Sequence, residues 1–129
     1  MRLLLDTHIW LWSLQESERL GRRVVQALKD PQNELWLSPV STWEAVVLHQ
    51  KNRIRLIGDL ADWISYATAP VREAPLTHEI AFASHYVPLQ HHDPADRFIA
   101  ATAQVLDLTL VTADARLLGL GNIATLANR

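Results

Sequence analysis

Short apolar runs alternate with longer segments of helical spacing along the whole chain. Arg2–Leu5, Glu34–Leu37, Val71–Ala74 and Thr109–Val111 are brief apolar or β-prone stretches, and Ile123–Leu126 is a weaker candidate of the same kind. Between them, Leu20, Val24, Val25 and Leu28 recur on one helical face. Phe98, Ile99, Thr102, Val105 and Leu106 form a second such stripe. Strands that alternate with helices predict an α/β fold, a parallel sheet of four to five strands with helices on both faces. Right-handed crossovers then bring every strand C-terminus to one edge, where α/β proteins place their sites. The segment Thr7–Leu14 is apolar nearly all round, so a helix there needs cover on more than one side. Five tryptophans in 129 residues could supply that cover from the core or offer a surface to a second chain.

No repeat, low-complexity tract or long linker divides the chain, so residues 1–129 read as one domain. About half the residues are apolar and a fifth are charged, the balance of an ordinary soluble domain. No apolar stretch is long enough to span a membrane, and Asp6 interrupts the leading leucines before a signal-peptide core can form. The absence of cysteine excludes disulfides and thiolate metal sites, and fits a cytoplasmic protein. Twelve basic against fourteen acidic residues give a net charge of −2, which announces no global nucleic-acid field. The basic residues nevertheless fall in two stretches, Arg19, Arg22, Arg23 and Lys29, then Lys51, Arg53 and Arg55. Either is compatible with a solvated helix face or with a phosphate track.

The acids carry more. Asp6 follows the first strand, Asp114 follows the fourth, and Glu44 lies in the helix after the second. Asp93 and Asp96 open the helix that runs down into the fourth strand, so its start also lies at the C-terminal edge. Each acid taken singly has a structural explanation. Asp6 can cap the helix at Thr7, Asp93 with Pro94 makes a good N-cap, and Asp96 stands at a capping-box position. Ser41-Thr42-Trp43-Glu44 also spells a capping box, and Asp114 can answer a helix dipole.

Two points favour a site. Pro39 suits the first helical position, which makes Ser38 the N-cap and leaves Glu44 more than a turn inside the helix. Carboxylates about 5 Å apart also repel by roughly 3 kcal/mol per pair at an effective dielectric near 20. Such a cluster must take up protons or a cation, and all-oxygen donors suit Mg2+ or Mn2+. The matching chemistry is phosphodiester hydrolysis by a metal-activated water. His91-His92 beside Asp93 hints at zinc, but His8, His49, His78 and His85 show no ligand spacing, so surface or core histidines are expected.

Four motifs in order then resemble one family. Asp6-Thr7-His8, Ser38-x-x-Ser41-x-Trp43-Glu44, Asp93-Pro94-x-Asp96-Arg97-x-Ile99-Ala100-Ala101 and Leu110-Val111-Thr112-x-Asp114 are similar to the PIN-domain nucleases, most of all to the toxins of VapBC-type toxin–antitoxin pairs. The resemblance runs from about residue 2 to 118. It implies a PIN-like three-layer α/β/α sandwich and an endoribonuclease that depends on one or two Mg2+ or Mn2+ ions. It also implies a homodimer and a cognate VapB-type antitoxin. Asp6, Glu44, Asp96 and Asp114 fall on the family's acidic quartet, Thr112 on a supporting hydroxyl, and Asp93 on an extra acid of the toxin subgroup. Asp6, Asp96 and Asp114 are expected to hold the metal, with Glu44 as a further ligand or as the group that orients the attacking water. Three rivals stand beside this reading: a structure-specific DNA nuclease, a non-catalytic interaction module of the same fold, and a phospho-accepting receiver. The last needs a lysine after the final strand, and none follows Lys51.

Overall fold

In a computed structural model, which describes residues 1–89 and 93–129, five parallel strands form one sheet. The strands are β1 (Arg2–Leu5), β2 (Glu34–Leu37), β3 (Arg72–Glu73), β4 (Thr109–Thr112) and β5 (Thr125–Ala127), in the order β3-β2-β1-β4-β5. The helices are α1 (Thr7–Gln15), α2 (Arg22–Lys29), α3 (Pro39–Gln50), α4 (Leu60–Thr68), α5 (His78–Ser84), α6 (Pro94–Val105) and α7 (Ala115–Leu118), with a 3-10 turn at Ser17–Arg19. Leu3, Leu4 and Leu5 of β1 are essentially inaccessible. Because strand side chains alternate, Leu4 joins Ile99, Leu110 and Leu117 on one face, while Leu3 and Leu5 join Ile9, Trp10 and Val111 on the other. Both faces are therefore buried, as a parallel sheet requires, and the expected three-layer arrangement holds.

The α1 segment is covered chiefly by its own domain. Ile9, Trp10 and Leu11 are buried, Trp10 packs on Trp63 at a ring separation of 5.5 Å, and its indole N–H donates to the Ala67 carbonyl. Two strands differ from the sequence reading. Val71–Ala74 contracts to Arg72–Glu73, and Ile123–Leu126 shifts to Thr125–Ala127; both are edge strands with a single neighbour. No helix of the described residues is long and apolar enough to cross a membrane.

The strand order places β4 beside β1, although the chain leaves β1 toward β2 on the other side. Ligands of open α/β sheets bind in the crevice outside such a reversal, at the strand C-termini. Leu5 pairs with Val111, so the next residues of both strands, Asp6 and Thr112, emerge side by side into that crevice.

Candidate active site

Asp6, Asp93 and Asp114 are each set by the start of a helix, Asp96 by the first turn of α6, and Glu44 by the interior of α3. Asp6 is the N-cap of α1, its Oδ1 accepting from the Thr7 N–H at 2.9 Å. Asp93 caps α6 by accepting from the Ala95 N–H at 3.0 Å, with Pro94 in the first turn. Asp114 caps α7 by accepting from the Arg116 N–H at 2.9 Å. The capping explanation is thus correct for these three, and it does not compete with a site. A cap fixes one carboxylate oxygen on backbone and aims the group at the positive end of a helix dipole. Ser38, not Ser41, caps α3, so Glu44 stands inside the helix beyond the reach of any cap.

Two hydroxyls tie the acids together. Thr112 donates to Asp6 Oδ2 at 2.6 Å and accepts from the Asp114 N–H at 3.0 Å, joining the acids that follow β1 and β4. Thr7 donates to Glu44 Oε1 at 2.5 Å and lies 2.8 Å from the Ser41 hydroxyl. Thr7 has one hydroxyl proton and gives it to Glu44, so Ser41 must be the donor of the second bond. This relay is buried: Ser41 and Thr7 are 0% and 1% exposed.

One cleft of about 340 Å³ is lined by Asp6, Glu44, Asp93, Asp96 and Asp114, together with His8, Trp12 and Arg116. All five acids singled out in the sequence meet there. Asp6 and Asp96 are 8% and 9% exposed, and desolvation is the largest influence on both. Burial raises the Asp6 carboxyl above the ordinary range, against its bonds from Thr112 and Thr7. Burial raises Glu44 as well, with Asp93 and Asp6 adding repulsion. Asp96 is pushed up to about 7, by burial first and then by the charges of Asp93, Asp6, Asp114 and Glu44. Carboxylates that resist ionisation because they face one another mark a place where a cation is favourable.

Arg116 answers part of that demand. Its Nε and Nη2 donate to Asp114 at 3.1 and 2.8 Å, and Nη2 lies 3.6 Å from Asp96 Oδ2. Sequence reasoning missed Arg116, which stands in no motif, and missed the roles of Thr7, Ser41 and His8, which stand in the motifs but meet Glu44 and the cleft only in the folded chain. His91 and His92 lie outside the described residues. Among the described residues, no three histidine or acidic side chains close a metal shell on their own. The donor set still fits a hard divalent ion, whose shell is completed by water and substrate oxygen, as is usual for Mg2+.

Comparison with known proteins gives a consistent answer. Residues 3–122 match the PIN domain family. The chain is 34% identical over 116 residues to Ribonuclease VapC22 of Mycobacterium tuberculosis, covering 89% of this chain and 88% of that one. Its fold is similar to DNA-bound VapBC from Salmonella typhimurium (TM-score 0.75, 12% identity, 100% and 99% of the two chains). It is also similar to VapBC2 from Rickettsia felis bound to a promoter DNA fragment (TM-score 0.72, 13% identity, 98% of each chain). A toxin–antitoxin complex from Klebsiella pneumoniae aligns with a TM-score of 0.67 at 22% identity, over 98% of each chain.

Proposed function

The chain belongs to the PIN domain family, and on that footing we propose that it is a metal-dependent endoribonuclease, the toxin of a toxin–antitoxin pair acting in the cytoplasm. The observation that carries this is the meeting of five acids from three helix starts and one helix interior in a single cleft at the strand-order reversal. Asp6, Asp96 and Asp114 would hold one or two Mg2+ or Mn2+ ions, with Asp93 at the rim. When bound, the ion supplies charge neutralisation for the phosphate and for the leaving oxygen.

The chain's own groups do the rest. Glu44, held by Thr7, orients the attacking water and receives its proton; burial and neighbouring acids raise its proton affinity, which suits a base. Thr112 keeps Asp6 and Asp114 in register. In-line attack by water breaks the P–O3′ bond, leaving a 5′-phosphate and a 3′-oxyanion that takes a proton from solvent to become the 3′-hydroxyl. The 2′-hydroxyl takes no part, so 2′,3′-cyclic ends would refute the mechanism.

The relatives' names support a VapB-type antitoxin as partner. An apolar shelf formed by exposed Trp43 and Leu76 with half-buried Phe98 lies beside Glu44 and Asp93, and it supports a homodimer. The deciding experiment incubates purified, antitoxin-free protein with total cellular RNA and Mg2+ or Mn2+, with EDTA and Asp6→Asn controls. Asn retains the Oδ1 cap on Thr7, so the variant should fold and lose at least about 100-fold in cleavage. Cleavage of DNA but not RNA would favour a structure-specific DNA nuclease. Neither cleavage nor metal binding would leave an interaction module.

A further inference from the structure

The acid cleft does not end at the acids. His8 and Trp12 form its wall and also line a second depression, of about 260 Å³, with Arg19 and Arg53. Arg53 in turn belongs to a third, of about 270 Å³, whose other walls include His49 and Arg55. The three therefore lie in a row, a trough whose neighbouring parts share wall residues. Its far end carries cations and no acid among its lining residues.

The two basic stretches of the sequence, with twenty-one residues between them, thus contribute to one surface. Arg19 comes from the first, Arg53 and Arg55 from the second. An aromatic platform stands between them and the acids. Trp12 is half-buried, with the His8 ring 5.8 Å away and the Arg19 guanidinium 5.1 Å from its ring centre. Arg19 also pairs with Glu16 at 3.3 Å, but both are more than half exposed or nearly so, and such a pair contributes little.

We infer that this trough binds the single-stranded RNA flanking the scissile phosphate, with an unpaired base stacked at Trp12 and His8 and the adjoining phosphates at Arg53 and Arg55. The inference rests on the ribonuclease reading. Cations that track a backbone beside an aromatic face are how proteins hold single strands without reading sequence. The arrangement also explains how a chain of net charge −2 can hold RNA: the five-acid cluster lies at one end of the trough, the middle sets Glu16 beside Arg19 and Arg53, and the other end is basic.

The test uses cleavage-silent Asp6→Asn protein with Mg2+ and a fluorescent single-stranded RNA of mixed sequence, about 12 nucleotides long, in a salt series. Arg53→Gln/Arg55→Gln is built on exposed side chains and should fold normally. It should weaken binding about tenfold at low salt and reduce the log–log salt slope by about 1.4, two phosphate contacts for a single strand. Trp12→Leu should weaken binding by about tenfold as well. Unchanged affinity and slope in the double variant, while the wild type cuts RNA, would overturn the trough and leave the ribonuclease standing. If the wild type neither binds nor cuts RNA, both fall. A double variant that binds RNA normally but escapes inhibition by its antitoxin would assign the trough to the protein partner and reject the RNA assignment.

Discussion

Asp96 is, at the scale of one residue, a group whose charge a bound cation would relieve. Its carboxyl is pushed up to about 7 by burial and then by four neighbouring acids, so ionised Asp96 strains the metal-free fold. Asp96→Asn should stabilise the metal-free protein by on the order of 1–3 kcal/mol and remove its stabilisation by Mn2+. Urea unfolding in EDTA and in Mn2+ checks both; a metal-free variant that unfolds well below wild type would make Asp96 a structural residue only. Arg116 is the complementary case. Its guanidinium covers both oxygens of Asp114 and reaches Asp96, oxygens an ion would also use. The guanidinium would repel a dication at those oxygens, so Arg116→Gln should tighten Mn2+ binding severalfold. Calorimetric titration reads this directly, and unchanged or weaker affinity would mean that Arg116 does not compete.

At the scale of the element, the site depends on where helices begin. Ser38 starts α3 by accepting from the Val40 N–H at 3.1 Å, and that start sets the turn on which Ser41 and Glu44 face Thr7. Ser38→Ala should cost about 1 kcal/mol of stability, measured by denaturant unfolding, and lower the cleavage rate by more than the fraction unfolded explains. The same scale shows what could be read in advance. β1, β2 and β4 were legible because central strands need unbroken apolar runs, and Asp6 and Asp114 were legible because they stand directly after two of them. β3 and β5 were read with wrong limits, since an edge strand with one partner needs no such run. Thr7, Ser41 and Arg116 escaped because their roles arise from side chains meeting across elements. The two basic stretches were visible, but only the folded chain shows that Arg19 and Arg53 line one trough.

For the whole molecule, the raised carboxyls become a pH dependence. Between about 4 and about 7 the folded, metal-free protein keeps a proton on Asp96 that the unfolded chain has released. Its stabilising contribution is therefore present at low pH and lost as pH rises through about 7. Asp6 and Glu44, also raised, act in the same direction. In EDTA, the urea midpoint should fall between about pH 4 and about pH 7, and Mn2+ should reverse the trend; a midpoint that rises with pH in EDTA would contradict the raised carboxyls. The bond between Thr112 and Asp6 spans 106 residues of sequence, and it has a consequence in time. At a synthesis rate of about 5–20 residues per second, about 5–20 s separate the making of the two residues. Throughout that interval the nascent chain has Asp6 but no β4 to pair with β1, so no acid cleft exists. A ribonuclease that cuts with these acids would be silent toward the message it is being read from until β4 is made.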